Sequence, residues 1–391
     1  MPQDCRTGRC LEVDNMRILV LGFSKMKYMP YASFYIDRID CNINEVEVLY
    51  WNRDRKEENL NRYDSRIRFH EFSDYMQDSA PYARKLFHFY RYRSQALKLL
   101  KNGGFDFVIV LHTLPGILVS DYLLKNFAGR YIFDYRDSSF EHISFFSKRV
   151  MQLSLASKLT FVSSDAFRRF LPASGVPVIT SHNILEDSLN HRDDRIHAFK
   201  ASPKIRIAFW GFIRHADHNK KIIDRLGKDS RFELHYYGRK QAVAKQLETY
   251  AKTNGADNVF FHGEYNPEDR YRFACCTDII HNSYWDNNTR FAMGNKYYDG
   301  VIFRIPQLTM PGTYMGERCT AKGTGIALNP DSSDYADSIW EWFKSLDRIQ
   351  FEKNCDADLD AILLEYNSGK ELLNGLFNAE RLSDNACQTS H

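Results

Sequence analysis

The sequence predicts two parallel-sheet α/β domains in tandem, with their strand ends facing one cleft. Three observations carry this. Short apolar runs rich in β-branched and aromatic residues alternate with longer helical stretches, the pattern of parallel strands joined by crossover helices. The alternation breaks once, in the polar stretch from Ile184 to Pro203, and then restarts. A chain of 391 residues also exceeds what one hydrophobic core usually organises.

In the first half, strands are expected at MRILVLG (16–22), EVEVLYW (45–51), IRFHEF (67–72), FDFVIVLH (105–112), RYIFDY (130–135), KLTFVSS (158–164) and VPVITSHN (176–183). They make a domain over 16–185, followed by a linker over 186–203. The second domain, 204–330, has expected strands at KIRIAFWG (204–211), RFELHYYG (231–238), DNVFFHG (257–263), TDIIHNS (277–283), VIFRIPQL (301–308) and GTGIAL (323–328). Residues 331–377 read as two helices. Residues 1–15 and 378–391 lack any such pattern and are expected to be frayed tails.

Composition removes several function classes. Lys and Arg number 53 against 50 Asp and Glu, so no strong global field recruits nucleic acid. The eight cysteines form no CxxC pair and no Cys/His cluster with zinc spacing, so reduced thiols and no metal are expected. No eighteen apolar residues run together and the opening stretch is polar, so neither a membrane span nor a signal peptide is expected, and the compartment expected is the cytoplasm. No GxSxG elbow, HExxH or P-loop occurs. The turn GFSKMKYMPYA lacks the Gly-rich dinucleotide fingerprint, so NAD and FAD are not expected and no cofactor is called for.

In tandem α/β domains, ligands sit outside the carboxyl ends of the strands, which selects the candidate residues. In GNKYYDGVIFRIPQL, Gly294 and Asn295 open a helix whose free N–H groups and positive end suit a phosphate, and Lys296 adds a full charge. Asp299, one turn on, shares a face with Lys296 and suits ribose hydroxyls; a plain surface ion pair between the two is the competing reading. In WGFIRHADHNKK, Gly211 permits close backbone approach, and Arg214 with Lys220 or Lys221 would clamp two phosphates, unless these are solvated charges. FDYRDSSFEH sets Asp134, Arg136 and Asp137 at a strand end, where Asp137 first and Asp134 second would orient or deprotonate an acceptor hydroxyl, against an acid–Arg structural network. His112 ends another strand on the same side and, with Arg136, is a candidate for the acceptor side, with catalysis and a structural histidine as its two readings. In HGEYNPED, Gly263 and Glu264 would offer backbone contacts to a base.

The segment GNKYYDGVIFRIPQL resembles the donor-binding stretch of retaining family-four glycosyltransferases of the GT-B type. WGFIRHADHNKK resembles their Gly-x-x-Arg…Lys turn, and FDYRDSSFEH the Asp-x-Arg-Asp motif of lipid-linked-glycan transferases. The resemblance implies two Rossmann-like domains facing a cleft, a nucleotide-sugar donor as substrate, and a glycan or lipid-linked glycan acceptor, in surface polysaccharide synthesis. It also implies donor pyrophosphate contacts for Lys296 and Arg214, ribose contact for Asp299, retention without a metal, an acceptor side in the first domain, and last helices that pack back across the hinge. One position departs: the family's second acid, eight residues before Asp299, is Phe291, with Asp286, Asn287 or Asn288 as substitutes from the preceding loop. A nucleotide-sugar 2-epimerase and a non-catalytic binding protein of the same fold are the alternatives.

One further stretch, residues 81–102, contains no acid. As a helix it is expected to set Arg84, His88, Arg91, Gln95, Lys98 and Lys101 in one stripe that suits an anionic membrane surface and a peripheral location; an ordinary amphipathic helix on the sheet is the other reading.

Overall fold

The computed structural model describes residues 15–378 except 78–79, 139, 174, 195–197, 199 and 287–288. Most of the two expected tails, and Asn287 and Asn288, lie outside the described residues. Seven parallel strands make the first sheet: β1 (Arg17–Leu21), β2 (Glu45–Asn52), β3 (Arg68–Ser73), β4 (Phe107–Leu111), β5 (Tyr131–Tyr135), β6 (Leu159–Val162) and β7 (Val178–Thr180), in the order β3-β2-β1-β4-β5-β6-β7. Six parallel strands make the second: β8 (Ile205–Trp210), β9 (Phe232–Tyr237), β10 (Val259–Gly263), β11 (Ile279–His281), β12 (Gln307–Thr309) and β13 (Gly325–Ala327), in the order β10-β9-β8-β11-β12-β13. Every residue of β4, β5 and β8 is buried, and apart from Asp134, which pairs with Arg136, and Arg206, which pairs with Asp278, these strands are apolar. In each sheet the chain reverses its direction of growth at the first strand, opening a crevice at the carboxyl ends of β1 and β4 and another at those of β8 and β11.

The expected strand VIFRIPQL is only half a strand. Val301 and Ile302 close the helix Asn295–Ile302, and pairing begins at Gln307, after Arg304 turns left-handed (φ 52) ahead of Pro306. An apolar run flanked by Gly300 and Pro306 has no periodicity that separates a buried helix end from a buried strand.

Helix Tyr82–Asn102 packs on the first sheet through His88, Tyr92, Ala96 and Leu100, a four-residue spacing that keeps one face inward. His88 therefore does not join a solvent-facing basic stripe: its Nδ1 pairs with Asp74 at 2.7 Å, and Arg91 reaches the same carboxylate at 2.5 Å. The outward face instead mixes Leu86, Phe87 and Tyr90, all more than half exposed, with Arg84, Lys98 and Lys101.

The stretch after β7 is fastened rather than loose. Glu186 accepts from Tyr366 Oη at 2.8 Å, and Ser188 is fully buried. Of the two C-terminal helices, Tyr335–Ser345 stays on the second domain, with Trp340 edge-on to Phe232. Helix Arg348–Phe377 crosses to the first, where Tyr366 meets Phe34, Phe377 meets Phe107, and Asn44 donates to Phe377 O at 3.2 Å. His182, just past β7, ties the crossing together by pairing Nδ1 with Tyr298 Oη at 3.0 Å and Nε2 with Glu365 at 2.8 Å.

Candidate active site

The two crevices face each other and merge into one interdomain cleft with three compartments of about 640, 660 and 810 Å³, all lined by Tyr28, Pro30 and Arg214. The 660 Å³ compartment lies against the second domain. Gly294 caps helix Asn295–Ile302 in extended backbone with no side-chain cap, so the first N–H groups of that helix open into the compartment. A Cβ on Gly294 would come within 2.9 Å of Tyr284 Oη. Opposite, Gly211 (φ 131) leaves room that brings Lys296 Nζ to 3.8 Å from where its Cβ would stand.

Lys296 lies over the Phe209 ring, 4.3 Å from its centroid, and Arg214 over Phe212 at 4.6 Å. Among the described residues neither cation makes an ion pair. Burial pulls the Lys296 ammonium down to about 8, with Asp299 opposing the fall and Arg214 adding to it. Asp299 is 3 % exposed and accepts from Trp210 Nε1 at 2.8 Å; burial raises its carboxyl, against the pull of Arg270 and the indole. It lines the compartment with one carboxylate oxygen committed to Trp210.

Four expected donor contacts fall elsewhere. Lys220 pairs with Asp217 at 3.1 Å and Lys221 with Asp331 at 2.7 Å, because Asn219, not either lysine, faces inward on helix Ala216–Leu226 and bonds Arg214 O and His215 O. Gly263 ends β10 and Glu264 follows it, and neither lines the cavity, which Tyr265 and Pro267 of the same turn line instead. Phe291, at the acid position, packs edge-on against Phe170 of the first domain at 5.4 Å, between the guanidinium groups of Arg169 and Arg290. Asp286 meets His215 Nδ1 at 3.2 Å and accepts from Thr289 N at 2.7 Å.

On the first domain, the loops after β4 and β5 bring His112 and Asp137 together, with Nε2 to Oδ2 at 2.9 Å. His112 holds a left-handed backbone (φ 83) and caps the next helix, its Nδ1 accepting from Leu114 N at 3.4 Å. That assigns the proton to Nε2, donated to Asp137. Desolvation by the cleft walls opposes the Asp137 charge, but the hydrogen bond from His112 and the positive charges of Arg136 and Arg214 outweigh it and hold the carboxyl below its ordinary range. Its side chain stays 60 % exposed to the cleft. Asp134 is different: it is fully buried, locked to Arg136 Nε at 2.6 Å, while Arg136 also reaches Asn183 Oδ1 at 2.6 Å and Ser181 Oγ at 2.8 Å. Asp134 does not line the cleft; its carboxyl, raised by burial, is the inner half of an ion pair beneath the loop carrying Asp137.

Tyr28 and Pro30 after β1, and Ser283 and Tyr284 after β11, also line the cleft. None carries a motif; the signal available was position, since each follows a strand that borders a point of chain reversal.

No family model matches the chain, and no curated protein matches it. Solved structures do. Sucrose-phosphate synthase from Thermosynechococcus elongatus superposes with a TM-score of 0.65 at 13% identity, over 96% of this chain and 98% of that one. The HepE protein of Anabaena, solved with UDP and glucose, gives 0.64 at 14% identity, over 92% and 99%. WaaG, a glycosyltransferase involved in lipopolysaccharide biosynthesis, gives 0.60 at 13% identity, over 93% and 100%. At such identities the likeness speaks for fold, and over nearly its full length this chain has the two-domain GT-B fold of those glycosyltransferases.

Proposed function

We propose that the chain is a glycosyltransferase that moves a sugar from a nucleotide-sugar to a hydroxyl of a glycan or lipid-linked glycan. The observation that carries this is the convergence, in the 660 Å³ compartment, of a helix N-terminus without a side-chain cap and two cations, Lys296 and Arg214, that make no ion pair among the described residues. Such a group of donors fits a diphosphate, and the HepE structures hold UDP in the same fold. As the bond from the sugar C1 to the diphosphate oxygen breaks, its electron pair leaves with the diphosphate, and Lys296, Arg214 and the helix end stabilise that charge in place of a metal. The acceptor oxygen then bonds C1. Asp137, held ionised, is a weak base; it suits orienting the acceptor hydroxyl, whose proton passes to the departing phosphate oxygen as that oxygen gains charge. Retention of the anomeric configuration follows from the family-four likeness. Asp299 and Tyr265 would then meet the nucleoside.

The exposed apolar face of helix Tyr82–Asn102 fits a lipid-linked acceptor at an anionic membrane surface, as in surface polysaccharide synthesis, on the cytoplasmic face. No helix among the described residues is long and apolar enough to cross a membrane.

The test is a nucleotide-sugar panel with candidate acceptors. Nucleoside diphosphate released only when acceptor is present, with a glycosylated product retaining the donor's anomeric configuration by NMR, is expected. Interconversion of the donor into its 2-epimer, or binding without turnover, would replace this reading.

A further inference from the structure

Among the buried side chains of helix Ala216–Leu226, Asn219 is the polar one, and its amide is bonded at every position it offers. Nδ2 donates to Arg214 O at 2.8 Å and to His215 O at 3.1 Å. Oδ1 accepts from Tyr236 Oη, on β9, and from His281 Nε2, on β11, each at 3.0 Å. The direction of these bonds is fixed, because His281 Nδ1 already accepts from Ser283 N at 3.1 Å; that leaves the ring proton on Nε2 and turns the amide oxygen toward it. Burial holds His281 well below its ordinary range, so the ring stays neutral and the pattern persists near neutral pH. The two carbonyls that Asn219 holds belong to the turn that carries a phosphate cation. His215 has a left-handed backbone (φ 58), costly for a residue with a Cβ, and it precedes the helix without a side-chain cap. Arg214, one residue earlier, lines all three compartments of the cleft. Its guanidinium lies over Phe212, itself an exposed ring, which is a loose tether for a long side chain, so the backbone of the turn is what aims it. A position that needed only filling would take an aliphatic group, as Ile222, Ile223 and Leu226 of the same helix do. A fully bonded buried amide instead specifies one backbone shape.

We infer that Asn219 is a positioning residue for the diphosphate side of the cleft: its amide holds the turn of Arg214 and His215 so that the Arg214 guanidinium is aimed beside Lys296 before the ligand arrives. The inference rests on the transferase reading only where it calls that ligand a nucleotide-sugar. Charge fixed in advance needs no reorganisation as the diphosphate leaves, and Asn219 supplies that fixity without touching the ligand. Lys296 reports on it. Asp299 of its own helix favours the ammonium and Arg214 opposes it, while the other titratable groups that face it stay neutral where it titrates: burial lowers His215 and His281 and raises Tyr284.

The experiment follows the titration of Lys296 by NMR in the full, ligand-free chain labelled isotopically at lysine Cε, together with calorimetric binding of UDP and of inorganic pyrophosphate. In the wild type the ammonium titrates at about 8. Asn219→Ser keeps a hydroxyl able to bond His215 O but releases Arg214 O, and Asn219→Ala releases both. Each should raise the Lys296 titration by roughly half a pH unit or more, as removal of a nearby like charge does, and weaken both ligands by about tenfold. The control is Tyr236→Phe, which takes one buried bond from Asn219 but leaves His281 to orient it. A lower unfolding midpoint with the wild-type Lys296 titration and affinities is expected there. A role confined to packing would lower the midpoint in every variant and leave Lys296 and both affinities unmoved; that result in folded Asn219→Ser overturns the inference, and so does an equal shift in Tyr236→Phe. If the wild type binds neither UDP nor pyrophosphate, the transferase reading falls, while the lysine titration still decides what Asn219 does.

Discussion

Two side chains that look alike on paper, Asp134 and Asp137, separate by burial. Replacing Asp134 with Asn leaves Arg136 charged and buried, a change that typically costs about 3–5 kcal/mol, so the variant should unfold at distinctly lower denaturant. Asp137→Asn should keep the wild-type midpoint and lose turnover, with little change in nucleotide affinity. Equal stability loss in both would contradict the assignment. Lys296 offers a pH signature. Its ammonium titrates near 8, far below an ordinary lysine, so it is charged below that pH and neutral above it. Nucleoside diphosphate affinity should fall as pH rises through about 8, with proton uptake on binding, because the terminal phosphate is already ionised there. Arg214→Ala removes a neighbour that depresses this group, so the break should move upward; Lys296→Ala should abolish it, and each should lower turnover by about a hundredfold. A pH-independent affinity in the wild type would remove Lys296 from the phosphate site.

At the scale of elements, the turn that holds the phosphate side depends on close backbone contact between neighbouring strand ends. Gly238, after β9, stands so near Gly211 that a Cβ on it would lie 2.2 Å from Gly211 O. Gly238→Ala must push the Gly211 turn toward the cavity or the strands apart, so the expected outcome is weaker nucleotide binding together with a lower melting temperature; a variant with both unchanged would show the turn to be slack. The same glycines explain what was legible in advance. Strands β1, β4, β5 and β8 announce themselves because strands buried on both faces are mostly apolar, the paired Asp134 and Arg206 being the charged exceptions. Gly211, Arg214, Gly294 and Lys296 were legible because they follow strands. Lys220 and Lys221 were misplaced because sequence spacing does not say which face of helix Ala216–Leu226 turns inward, and Asn219 took it. Asp134 lies inside the sheet rather than at the cleft for the related reason that an inward strand residue and the first residue of its loop differ by a few ångströms that no motif records. Tyr28, Ser283 and Tyr284 carried only the signal of position after a strand at a point of chain reversal, with no motif to single them out.

For the whole molecule, helix Arg348–Phe377 fastens the second domain to the first, while the outer wall of the first domain remains uncovered. Tyr82, Leu86, Phe87 and Tyr90 on one helix, and Ile143, Phe145, Met151 and Leu155 on or beside helix Ser144–Leu155, are 39–68 % exposed. Phe140 packs edge-on against both Tyr82 and Phe146, so the starts of the two helices lie side by side, on the edge of the sheet where the strands end and the cleft opens. Neither helix contains an acid, and Arg84, Lys85 and Lys148 lie among these apolar groups, while Arg149 pairs with Asp121 at 3.0 Å. Aromatic and aliphatic side chains beside cations match the boundary of an anionic bilayer, where each basic residue contributes about 1 kcal/mol and the apolar groups add attraction that salt does not screen. Sedimentation with anionic vesicles should therefore pull the protein down at low salt and retain part of it at high salt. Leu86, Phe87 and Phe145 changed together to Ser should remove the salt-resistant part, whereas Arg84, Lys98 and Lys101 changed together to Glu should remove the salt-sensitive part, with the fold kept in both because none of the six is buried. Wild-type protein that stays in the supernatant at every salt concentration and lipid composition would refute membrane docking, and the exposed helices would then need a protein partner.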